Sequence, residues 1–256
     1  MVEMAIVLVI VGLLMGSFIG SFSNRIETTR RDDTRKIIEE IESAILGFAS
    51  ASGRLPCPTT TTGSGLEQPV GGGACTLQYG FVPGRTLGLN GAYNKDKLLT
   101  DSWGNPIRYS VTNANVGGWA FTSPPGGGGM VDIGMNNLVP DLVVCDGDST
   151  SGVSCAGGAN TLIDTAVFIV LSLGNDGSNF VAPAAPNSDQ GENASEVAVV
   201  ANVGGENVAY TVGNNRVFVS KDYSSVDSPA GQFDDLIIWA SQYVLYSRMM
   251  EAGQLP

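Results

Sequence analysis

The sequence predicts an α+β protein, with a long N-terminal helical stem packed on a strand-rich globular head. Three observations carry that expectation. Met4 to Asn24 holds no charged residue and is close to the ~20 apolar residues that cross a bilayer as a helix. From Arg25 the pattern stays helical but becomes two-faced, until Gly53, Pro56 and Pro58 stop it. Beyond Arg54, short β-prone runs alternate with glycine-rich turns. The expected organisation is therefore a hydrophobic transmembrane or filament-core helix over 1–24 and the amphipathic half of the stem over 25–53. A disulfide-bonded, loop-rich antiparallel head follows over 54–256.

Composition narrows the function. At 256 residues the chain supports one substantial domain and an appendage. Acids outnumber bases 25 to 13, and most of the excess falls in the head, a surface that repels phosphate backbones. With 0 histidines the chain lacks the commonest general base and any Ser-His triad. Gly126–Gly129 is not followed by the Lys-Ser/Thr of a phosphate-binding loop, and Gly174-Asn-Asp-Gly177 reads as a turn. Asp234-Asp235 adjoins the apolar run Leu236–Trp239 and reads as the start of a strand or helix. No enzyme is expected.

The N-terminal segment is the strongest signal. A secretory signal carries positive charge before its apolar run; here Glu3 precedes the run, and Arg25, Arg30, Arg31, Arg35 and Lys36 follow it. A carboxylate at the edge of such a helix costs about 2.5–3.5 kcal/mol at the bilayer centre, so Glu3 requires a partner. MVEMAIVLVIVGLLMGSF resembles the start of mature type IV pilins and type II secretion pseudopilins. The resemblance implies the type IV pilin fold. It also implies that Glu3 pairs with the N-terminal amine of a neighbouring subunit, the sequence starting two residues beyond the family's processed terminus. Gly12, Gly16 and Gly20, spaced by four, line one face of an intact helix and permit close helix approach. Gly20 stands about where the family has a proline, so local melting between Gly12 and Gly20 and plain helix packing are both open readings.

In the second half of the stem, Ile37, Ile41, Ile45 and Phe48 recur at helical spacing, with Ile38 and Ala44 beside them and Arg35, Glu39, Glu40 and Glu42 opposite. A helix of about 50 residues is roughly 75 Å long. A head of this size cannot cover it, so its protruding half requires lipid or other helices. Expected strands are Ile107–Val111, Leu142–Cys145, Thr165–Leu173, Glu196–Ala201 and Arg216–Ser220. A short strand or helix from Phe233 leads into an amphipathic helix through Tyr243, Leu245, Tyr246 and Met249 to Gly253.

Segments of the head extend the resemblance. Leu99–Tyr109 (LTDSWGNPIRY) is similar to a D-x-W-G-x-P-x-x-Y segment of major pseudopilins, and Ser172–Gly177 (SLGNDG) to their S-x-G-x-D-G turn. Gly53–Pro58 and the terminal Ala252–Pro256 resemble larger members of the family. Trp103 and Tyr109 are expected to anchor their turn to the stem, with Gly104 and Pro106 setting its bend.

Four cysteines allow three connectivities; the local pairs Cys57–Cys75 and Cys145–Cys155 are favoured, each closing a glycine-rich loop. Zinc is disfavoured without histidine or a CxxC spacing. Asp176, Asn179, Asp189, Glu192 and Asn193 offer oxygen ligands after the SLGNDG turn. The resemblance implies calcium there, although the insert Phe180–Asn187 departs from the family's spacing. A plain solvated loop is the competing reading, and no other cofactor is expected. Asp146-Gly-Asp148 is a weaker acidic loop, and Asn193-Ala-Ser195 is a glycosylation sequon.

Together these features predict a structural filament subunit. It would wait in the bacterial inner membrane, be handled by the pilus assembly machinery, and polymerise with identical subunits into an extracellular pilus. The alternatives are a major-type pseudopilin of type II secretion, a minor pilin, or a non-assembling membrane-anchored binding protein. Nothing in the sequence names a surface ligand.

Overall fold

The computed structural model describes residues 2–113, 118–147, 155, 160–175, 177, 189–194, 198–203, 206–211, 216–225, 228 and 232–255. The side chains of 2–3, 6, 8, 12–24, 198–203 and 206–211 lie outside that description.

Helical backbone runs over α1, Val2–Ser52. Its docked face is Thr34, Ile38, Ile41, Ile45, Leu46 and Ala49, all buried. This stripe is rotated from the expected one, because Ile37 and Phe48 are only half-buried at its flanks. At the helix end Gly53 takes φ 73° and donates its N–H to Ala49 O at 2.9 Å. An added Cβ there would come 2.9 Å from Pro125 Cγ, so glycine both turns the chain and permits a close approach.

Ten further elements follow: β1 (Tyr79–Phe81), β2 (Arg108–Val111), α2 (Met130–Ile133), β3 (Leu142–Cys145), β4 (Thr161–Ser172), α3 (Asp189–Ala194), the hairpin β5 (Ala198–Val203) and β6 (Glu206–Thr211), β7 (Val217–Val219), and β8 (Leu236–Ser241). The last helix is α4 (Gln242–Glu251). β4 is the hub of a six-stranded sheet: its first half pairs with β3, and its second half pairs with β2 and β8, all antiparallel. β7 joins β3 in parallel, Val143 opposite Val217. β1 extends the sheet beyond β2.

The apolar run of β4 is buried on both faces, which explains its lack of alternation. Phe168 and Val170 join Ile38, Ile41, Ile45, Tyr109, Leu245 and Met249 between the sheet and the helices. Ile169 and Leu171 join Tyr79, Leu142, Val144 and Phe218 on the other face. β4 starts earlier than expected, at Thr161, because pairing with β3 holds a stretch that burial alone would not have marked. β8 resolves the ambiguous segment after Phe233 as a strand. The following α4 is N-capped by Ser241, whose Oγ accepts from Val244 N. Tyr243 is exposed, whereas Leu245, Tyr246 and Met249 point inward. β1, α2, α3 and β6 were not expected.

The predicted fold class is corrected. The type IV pilin fold, an apolar helical stem carrying an antiparallel head, is not what the structure supports: the body is a strand-rich half-barrel sheet docked on the short stretch 25–52 of α1. Among the described residues no helix is long and apolar enough to cross a membrane. The sheet is mixed, through its parallel β3–β7 pair, where an antiparallel head was expected. The physical reason lies in where packing is seen: among the described side chains of α1 the first fully buried one is Thr34, and the sheet packs on the stripe that follows it.

Candidate functional site at the junction of helix and body

The predicted assembly residues fall at the start of α1. The side chain of Glu3 and those at Gly12, Gly16 and Gly20 lie outside the described residues, though helical backbone passes through all four positions. Where side chains are described, they are bare: Met4 is 73% exposed and Val9 60%, with Val7, Ile10 and Val11 exposed as well. A run of uncovered aliphatic side chains of this kind marks a surface that another apolar surface covers.

The body grips α1 further along, through a loop that the sequence singled out. Trp103 Nε1 donates to Glu27 Oε2 at 3.2 Å, and Ser102 N donates to the fully buried Thr34 Oγ1 at 3.2 Å. The loop is shaped from within by Asp101. Its Oδ1 accepts from Trp103 N (2.9 Å) and Asn105 N (2.8 Å), and its Oδ2 accepts from Ser172 Oγ (2.6 Å). Gly104 takes φ 89° at the bend. Burial pushes the Asp101 carboxyl up to about 6, against the opposing pull of the Ser172 hydroxyl and the amides of Asn105, Trp103 and Gly104.

Asn105 Nδ2 then donates to Gly174 O at 2.7 Å, so the LTDSWGNPIRY loop and the SLGNDG turn form one joint. Trp103 reaches the helix as expected. Tyr109 acts just past its end: the phenol donates to Pro56 O at 3.0 Å and the ring lies 6.2 Å from that of Phe168. Full burial holds the Tyr109 hydroxyl well above its ordinary value.

Two residues the sequence reading placed at a strand or helix start complete the joint. Asp234 Oδ2 accepts from Asn175 N at 2.7 Å, and its Oδ1 accepts from Gln190 Nε2. Gly174, at φ 66°, could not carry a Cβ, which would lie 2.5 Å from Asp234 Oδ2. Arg31 of α1 donates to Asp234 O at 3.1 Å and stacks 4.3 Å over the Tyr223 ring. Asp235 accepts from Asn193 Nδ2 at 2.7 Å. The signal that could have found them is two adjacent acids against a buried strand: buried carboxylates demand donors, and the amides of Gln190 and Asn193 supply them.

Of the proposed calcium ligands, three are among the described residues. Asp176 and Asn179 lie outside the described residues. Asp189 forms an ion pair with Lys221, and Asn193 bonds Asp235 and both backbone groups of Val219. Glu192 is half-buried on α3. No group of three or more His, Cys, Asp or Glu residues suited to a metal ion occurs among the described residues.

The cystines are Cys57–Cys75 and Cys145–Cys155. The first lies beside a buried ion pair absent from the sequence reading: Arg54 meets Glu67 through two bonds, 2.8 and 2.7 Å, and Glu67 also accepts from Cys57 N and Gly71 N. This locks the loop to the end of α1. Two small half-open clefts flank the helix. One of about 240 Å³ is lined by Arg35, Ile38, Glu39 and β8, and one of about 290 Å³ by Ser43, Leu46, Gly47, Ser50 and Arg248. Chemically the junction holds: its carboxylates fasten backbone and side-chain donors from several segments into one seat for the helix.

No family model, curated protein or solved structure matches the chain.

Proposed function

We propose that this chain is a structural subunit of an extracellular filament of the type IV pilus kind, assembled through its apolar N-terminal segment. The observation that carries this reading is the cluster of uncovered aliphatic side chains near the start of α1, Met4, Val7, Val9, Ile10 and Val11. Uncovered aliphatic side chains clustered in this way call for another apolar surface, lipid or a second chain, and the sequence stays free of charge to Asn24. Before assembly the subunit spans the inner membrane with the body outside the cytoplasm, where two cystines suit an oxidising compartment. Assembly machinery then extracts it, and Glu3 pairs with a neighbour's N-terminal amine.

Sheared surface material examined by electron microscopy should contain long filaments of this chain. Glu3→Ala should reduce filament yield by roughly tenfold or more, the loss expected when a buried charge pair forfeits one member; undiminished filaments would remove the pairing argument. A second reading, a pseudopilin of type II secretion, is favoured by the Asn105–Gly174 bond. It joins the two segments that most resemble major pseudopilins. That reading expects the chain in the cell envelope only, and loss of protein secretion on deletion.

A further inference from the structure

Between Arg25 and Glu42 the free charges of α1 are sorted along its axis. Arg25 and Arg30 are exposed near the apolar stretch; Glu39 and Glu40 are exposed further along, with Glu42 half-buried beside them. Among the described residues none of these five forms an ion pair. Neighbouring charges are already engaged: Glu27 by Trp103, Arg31 by Asp234 O and Tyr223, and Asp33 by Lys36. Asp32 and Arg35, between the two levels, offset each other in sign. Within one chain, burial and then the Glu39 charge raise the Glu42 carboxyl.

A helix with free cations at one level and free acids at another repels a parallel copy in register and attracts one displaced along the axis. The levels lie ~10–15 residues apart, so the favourable displacement is about 15–22 Å. Anionic lipid headgroups would satisfy the arginines but leave the acids unmatched; a second copy satisfies both.

We propose that α1 carries both halves of a heterologous interface between copies of this chain, with Arg25 and Arg30 of one copy against Glu39 and Glu40 of an axially displaced neighbour. This rests on the filament reading and adds, beside the Glu3 pairing, a second charged contact that sets the axial offset between subunits. Because each copy offers one half at each level, the contact does not close on itself and propagates as an open polymer.

Charge reversal tests it in the full chain. Arg25→Glu with Arg30→Glu, and separately Glu39→Lys with Glu40→Lys, should each lower filament yield by about tenfold, since each faces like charges across the interface. The fourfold variant, with both levels reversed, should recover to within about threefold of wild type, the signature of pairwise coupling. All four positions are exposed, so unchanged thermal unfolding of the detergent-solubilised subunit verifies folding. Full yield from either double variant, or a fourfold variant no better than the doubles, overturns the interface while leaving the filament reading in place. A wild-type chain that forms no filaments overturns both.

Discussion

The two halves of α1 share one backbone geometry and have opposite surroundings. Upstream, Met4, Val7, Val9, Ile10 and Val11 are exposed on every side of the helix; downstream, Ile38, Ile41, Ile45 and Ala49 form one stripe that the body covers completely. The difference teaches that helical periodicity and fold membership are separate properties. A one-sided stripe says where the chain packs on itself. An all-round apolar helix says only that something must cover it. The correction of the predicted fold follows: the expected stem joined the two halves into one architectural unit, whereas the buried stripe that the body packs on, among the described side chains, lies in the second.

The largest effect should come from testing that contrast directly. Ile45 is fully buried between the sheet and α4, and Ile45→Ala should lower stability by about 2–5 kcal/mol through lost contacts and a residual cavity. Val9→Ala, at a position 60% exposed, should stay within about 0.5 kcal/mol of wild type in the unassembled chain. Denaturant unfolding of the detergent-solubilised subunit measures both. A comparable loss from Val9→Ala would mean that the upstream half is packed on the body, and the contrast would collapse.

A somewhat smaller effect sharpens the contrast at the seam. Asp101, which shapes the loop gripping α1, has its carboxyl raised from 3.8 to about 6 by burial. The folded state therefore binds its proton more tightly than the unfolded chain does. That contribution is fully present below about pH 4, is lost as pH rises through about 6, and amounts to about 3 kcal/mol across the window. Asp101→Asn stays neutral and should lack this part of the pH dependence. The difference in unfolding free energy between wild type and variant, followed from pH 4 to 7, should change by that amount. A difference that stays flat would show that the loop's hydrogen bonds, rather than desolvation, set the state of the carboxyl.

What was legible in the sequence were features that a local pattern encodes. The end of α1 at Gly53, the strand Leu142–Cys145, the two cystine pairs and the reach of Trp103 to the helix all depend on residues near one another in sequence or on a single large side chain. The three-residue β1 and the parallel placement of β7 beside β3 depend on long-range pairing, which leaves little local trace. The buried partners Arg54–Glu67 and Asp235–Asn193 were missed for a related reason: a charge that looks solvated in sequence becomes structural only when distant donors converge on it. Asp189 and Asn193, read as metal ligands, bond to Lys221 and to Val219 with Asp235, while Asp176 and Asn179 of the same set lie outside the described residues.

The finest probe of the seam is the contact between Trp103 and Glu27, the bond nearest the point where the body lets go of the helix. Trp103→Phe keeps an aromatic ring against the core but removes the indole N–H that donates to Glu27 Oε2 at 3.2 Å. The bond is partly exposed, so the expected loss is about 0.5–1.5 kcal/mol, below that of either preceding variant. A double-mutant cycle with Glu27→Ala separates the bond from ring packing: coupling of about 0.5 kcal/mol or more assigns the loss to the hydrogen bond. Coupling near zero, with Trp103→Phe still destabilising, would assign it to ring shape in the core. The seam between the two halves of α1 would then be fastened by Thr34 and Arg31 rather than by Glu27, about one to two helical turns further into the body.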